Sequence, residues 1–144
     1  MAVTISRYNH TLKKLLNKEV TLTTLKVMLL SSSASFTASH TALTSVNNSG
    51  AYQVSGNGWT AGGITLASVA VTVVNTNGAM LDAADVSVTA SGGTIGPASA
   101  AVIYDDTDAS DAPLFYIDFG GAESAGVGTD FKITFNANGI ERVT

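Results

Sequence analysis

A chain of 144 residues, 45% hydrophobic and only 12% charged, is long enough for one domain burying roughly 68–70% of its unfolded surface, yet carries about half the usual ~25% of charged side chains. The absence of cysteine excludes a disulfide framework, a thiolate metal site and a cysteine nucleophile. A net charge of −4 argues against general nucleic-acid binding.

The exterior is left to Ser, Thr, Asn, Gly and Ala, with little repulsion between copies. That suits a subunit packed against others and a solitary β domain equally. The start, MAVTISRYNH, lacks the apolar core of a secretory signal. The apolar run at 27–30 is far too short to span a bilayer. With no cysteine, the expectation is folding in a reducing cytoplasm.

Residues 2–6 read as a short strand or an ordered arm. Residues 8–16 predict a short helix: Asn9 is the N-cap, Leu12, Leu15 and Leu16 recur at helical spacing, and Lys13 and Lys14 take the other face. Residues 21–30 predict a strand in which Leu25, Val27 and Leu29 alternate with Thr24, Lys26 and Met28. A serine run ends it. Residues 36–46 are either a helical turn capped by Ser39 and carrying Leu43 and Val46, or a packed loop. A turn at 47–50 and a strand at 51–54 follow. In the glycine-dense SGNGWTAGG, Trp59 reads as a cover over the edge of the core, not a ligand-stacking ring.

The longest strand signal is 64–74, ITLASVAVTVV, with Val69, Val71 and Val73 on one face. The NTNG that follows is a hairpin cue. Short strands are predicted at 79–81 and 86–89. The segment TIGPASAAVIYDDTDASDAPLFYIDFGG, 94–121, is the centre of the fold. Its apolar runs, 98–104 and 114–119, flank an acidic loop with Asp105, Asp106, Asp108 and Asp111. Phe115, Ile117 and Phe119 share one face, and the earlier run is apolar on both, as in a strand buried within a sandwich. Phe131, Ile133 and Phe135 alternate in a late strand, and 140–143 close the chain. The pattern predicts one all-β domain over 1–144, an antiparallel β-sandwich or jelly-roll with one short N-terminal helix and a possible arm at 1–7. Val71, Val102, Ile117, Phe119, Ile133 and Phe135 are its expected core.

Catalytic chemistry finds little foothold. The two histidines, His10 and His40, read as surface or capping residues, and no G-x-S-x-G elbow is present. The run from Gly56 to Gly62 misses the dinucleotide-binding spacing by one residue and precedes a strand. The aspartate loop offers oxygens to calcium but matches no EF-hand, so it reads as a solvated turn with no essential metal. A glycosidase pair drawn from Asp105, Asp118 and Glu123 carries no weight among eleven acids. The glycosylation patterns beginning at Asn9 and Asn47 lack a secretion signal to support them. No enzyme, catalytic residue, metal or cofactor is predicted. Charge is uneven: Arg7, Lys13, Lys14, Lys18 and Lys26 precede the main body of carboxylates. The first four have few acidic neighbours in sequence and are candidate assembly contacts.

The patches RYNHTLKKLLNK, TLKVMLL, SFTASH, YQVSGNGWTAGG, VNTNGAMLDAADVSVTASGG, AAVIYDD, PLFYIDFGG and FKITFNANGI together resemble small virion structural proteins of tailed bacteriophages, over nearly the whole chain. The resemblance implies a non-enzymatic component, made in the host cytoplasm, that coats or joins parts of the particle. The expected role is a capsid decoration (cement) protein on the major capsid protein, a homo-oligomer and by expectation a trimer. A tail, neck or fibre-attachment component is the alternative within that class. A carbohydrate-binding β-sandwich using Trp59, Tyr52 and the acidic loop is the alternative outside it.

Overall fold

The computed structural model describes residues 3–75 and 77–143. It holds eleven strands and two short helices among those residues: β1 Thr4–Arg7, α1 Thr11–Leu16, β2 Leu25–Leu30, α2 Leu43–Val46, β3 Gln53–Val54, β4 Ile64–Thr65, β5 Ala70–Asn75, β6 Gly78–Asp82, β7 Val86–Thr89, β8 Ile95–Asp105, β9 Pro113–Ala125, β10 Asp130–Ile133 and β11 Glu141–Val143. The main sheet runs β1-β9-β8-β2-β3, with β4 also on β2; two smaller sheets are β10-β7 and β11-β6-β5. All of these pairings are antiparallel.

The β8–β9 hairpin is the spine. Its register sets Ala101 against Ile117 and Ile103 against Phe115 on one face, and Val102 against Tyr116 on the other. β2 extends both rows, pairing Val27 with Ile103 and Met28 with Val102. Cross-strand partners share a face, so this sheet has two apolar sides and both are covered. One side packs on Trp59, Leu81, Val86, Phe131 and Ile133. The other lies under Tyr8, Leu43, Val46 and Phe36. A strand buried on both faces reads as a continuous apolar run, which explains LKVMLL in β2 and AAVIY in β8.

Several boundaries differ from expectation. The helix begins at Thr11, not residue 8, and His10 rather than Asn9 stands at its N-cap without a side-chain cap bond. Tyr8 is instead core: it is fully buried and its N–H donates to the Leu114 carbonyl at 3.1 Å. Thr4–Arg7 is an edge strand of the main sheet, pairing with 115–118 of β9; Met1 and Ala2 lie outside the described residues. Strand β2 starts only at Leu25, after a 3-10 turn at Leu22–Thr24. Ala42, not Ser39, precedes α2.

The apparent long strand over 64–74 is two strands in two sheets. β4 pairs with β2 while β5 pairs with β6. Between them Leu66 N–H donates to the Leu25 carbonyl, the Ala67 carbonyl accepts from Ala84 N–H, and Ser68 takes φ 54°. A left-handed residue cannot continue an extended strand, so the chain turns out of the main sheet there. Gly63 allows the close approach on its other side: at φ +101° it rests against the Val27 carbonyl where a Cβ would clash.

Of the expected core, Val102, Ile117, Phe119 and Ile133 are buried. Phe135 lies just past β10 and is only partly buried. Val71 is not core: it is 53% exposed and Val73 84%. Both stand on the outermost strand of a three-stranded sheet, beyond the reach of the central hairpin.

Candidate functional site

The fold finds acidic partners for half of the basic residues singled out in the sequence. Arg7 Nη1 meets Glu141 Oε1 at 2.9 Å. Lys14 Nζ lies 2.8 Å from Asp108 Oδ2 and 3.8 Å from Glu19. Lys26, which was not among the four, pairs with Asp106 at 3.0 Å. The hydrogen bond to Asp108 holds the Lys14 ammonium above its ordinary pKa. In return the Lys14 bond, helped by the Ser110 N–H, holds the Asp108 carboxyl below the usual range. Lys13 and Lys18 remain exposed. Apart from Glu19, these partners lie far along the chain, which is why the sequence hid the pairs.

The acidic loop is correspondingly less solvated than its composition suggested. Asp105 is buried. Its carboxylate accepts from Thr21 N–H at 3.0 Å, Thr24 Oγ1 at 3.0 Å, Thr107 N–H at 3.1 Å and Thr107 Oγ1 at 2.8 Å. It is the knot that ties the loop to the turn before β2. Among the described residues no three carboxylates or histidines gather where a metal could be held. Asp111, in a left-handed turn at φ 48°, has its carboxyl pushed up by burial and then by the charges of Asp106 and Asp108. Nearby, burial pushes Tyr104 up to about 12, and its hydroxyl donates to the Gly62 carbonyl.

The remaining candidates do not assemble into a catalytic or sugar site. His10 Nε2 lies 2.6 Å from the Pro113 carbonyl; a carbonyl only accepts, so this nitrogen carries the proton. Trp59 is 1% exposed and meets Phe131 edge-on, centroids 5.5 Å apart. It is therefore inside the core, not at its edge, and offers no ring face to a sugar. Asn47 is buried, with Oδ1 turned onto Gly50 N–H.

What the structure does present is an open, mostly apolar groove that takes in Val71, which the sequence assigned to the core. Val71, Val73, Ala79 and Val143 share one side of the β11-β6-β5 sheet through their register, together with Glu141 and with Leu81, which is already buried in the core. Opposite them stand Leu12 and Leu16 of α1, and the two walls enclose an open groove of about 610 Å3. Leu16 is 82% exposed and Val143 45%. Scattered apolar residues at a surface are ordinary; a contiguous set is the mark of a contact surface. β5 and β6 bring no charge before Asp82, while Lys18 and Glu141 also line the groove. The periodicity of 64–74 pointed to this face but could not tell a buried row from an outward one.

No protein-family model, no curated protein and no solved structure matches the chain. Among the described residues no helix is long and apolar enough to cross a membrane.

Proposed function

We propose that this chain is a non-enzymatic structural subunit of a bacteriophage virion, a capsid decoration protein that binds the outside of the head and stabilises it. The observation that carries the reading is the open apolar face between α1 and the β11-β6-β5 sheet, set in a chain with few charges. Such a face loses unfavourable hydration when another protein covers it. The resemblance of the sequence patches to small phage virion proteins supplies the kind of partner: the major capsid protein or a neighbouring virion subunit. A ligand that binds only the folded, assembled form stabilises that form by mass action, which is the work of a cement protein. A tail, neck or fibre-attachment position would use the same surface. A sugar-binding role has less support, because Trp59 is enclosed.

The test is to add the purified chain to heads that lack it and measure the bound fraction and the heat at which the heads open. Saturable binding with a raised opening temperature is expected. No binding to heads, with binding to isolated tails instead, would overturn the decoration role.

A further inference from the structure

We infer that β5 is an assembly edge, and that it pairs antiparallel with β5 of a second copy across a two-fold axis. Among the described residues β5 is the last strand of its sheet and bonds on one side only, to β6. No other backbone hydrogen bond among the described residues reaches 70–74. An edge strand left open is a template for another chain, and folded proteins ordinarily blunt it with a charge, a proline, a bulge or a cover. β5 reads AVTVVN and has neither charge nor proline. Its one irregularity falls after Val73, next to the turn, so 70–73 stay regular. Residues 70–73 are all exposed. Three other outer strands carry charge: β1 has Arg7, β10 has Asp130 and Lys132, and β11 has Glu141 and Arg142; β7, VSVT, has none, but Gly58 packs against its Val88 and its Thr89 carbonyl.

The occupant follows from what the edge can recognise. Unpaired N–H and C=O groups call for an extended strand. The lack of charge gives nothing to select an acidic or basic partner, and nothing to repel an identical one. β5 is also complementary to itself. A two-fold centred on Thr72 sets Thr72 against its own copy, and Val71 of each chain against Val73 of the other. These valines lie on one face, so the pairing joins two three-stranded sheets into one of six and runs the two apolar grooves together. An isologous contact of this kind closes at two subunits, giving a dimer where the sequence had suggested a trimer. The contact forms in solution without any particle, so it does not depend on the virion role.

The chain has no cysteine, so a single introduced thiol reports the contact cleanly. Directly opposed residues in an antiparallel pair have Cα atoms about 4.5–5.5 Å apart, within the range of about 4.4–6.8 Å that a disulfide spans. Thr72→Cys should therefore cross-link into a covalent dimer under mild oxidation, far faster than Thr134→Cys, an exposed position just after β10. Sedimentation should give a dimer for the wild type. Val73→Lys, at a side chain 84% exposed in the single chain, should give a monomer with an unchanged circular dichroism spectrum. A wild type that stays monomeric at high micromolar concentration overturns the pairing. So does cross-linking at position 72 no faster than at 134, whatever Val73→Lys does.

Discussion

Phe119→Ala probes the packing of the main sheet against the smaller ones. Phe119 is 7% exposed and tilts against Phe131 with centroids 6.2 Å apart. Phe131 in turn meets Trp59, so the three rings form one seam between the main sheet and β10. Removing a buried phenylalanine ring costs about 3–5 kcal/mol through lost transfer energy and the cavity left behind. Phe119 borders an open groove shared with Ile5 and Phe135, where solvent can enter part of the vacated space, which sets the loss near the lower bound, about 3 kcal/mol. For a chain of this size that lowers Tm by about 6–12 °C. Equilibrium unfolding in urea measures it, at one low protein concentration so that association does not enter. A double-mutant cycle with Phe131→Ala should show a coupling of about 0.5–1.5 kcal/mol for the ring pair. A loss below about 1 kcal/mol for Phe119→Ala, against the usual range for a core ring, would refute the seam.

Asp105→Ala should cost about 2–4 kcal/mol, because it strands the Thr21 N–H and two threonine hydroxyls that now meet a charge; denaturant unfolding checks it. Lys14→Ala should cost about 0.5–1 kcal/mol. Asp108 has a lowered pKa in the fold, so its share is present above the unfolded carboxyl value near 3.9 and lost as pH falls through the lower folded one. Lys14 has a raised pKa, so its share is present below the unfolded value near 10.4 and lost as pH rises through the folded one. The gap between wild type and Lys14→Ala should be flat between those limits and narrow outside them in thermal melts. Asp111→Asn should gain up to about 0.5 kcal/mol at neutral pH, because a raised carboxyl pKa means the charge is held at a cost. The gain should vanish in acid, and asparagine accepts the left-handed turn.

The alternation of Phe115, Ile117 and Phe119 and the two-faced apolar run of 98–104 exposed the central hairpin in the sequence, because a strand's burial is written in its period. The same period misled at 64–74. Valines at every second position suit a buried row and an exposed one alike, and the break at Ser68 is a backbone event in a residue with no turn preference of glycine's kind. The pairing of Arg7 with Glu141 and of Lys14 with Asp108 was hidden for another reason: contacts between residues so far apart leave no local trace. Tyr8 looked like the start of a helix because Leu12, Leu15 and Leu16 set a helical period just beyond it. Of the two readings of the N-terminal segment, short strand or arm, the structure takes the strand, at Thr4–Arg7. Removing Thr4–Arg7 would take a strand off β9 and the partner from Glu141, so truncation would disturb folding as well as any attachment.

The most direct measurement is a cryo-electron microscopy map of the purified phage particle with this chain located in it. Density for the chain is expected on the outer surface of the head, over the major capsid protein, with the apolar face between α1 and the β11-β6-β5 sheet covered by a neighbouring subunit. Density confined to the tail, or a head-bound chain whose apolar face is left open to solvent, would contradict it.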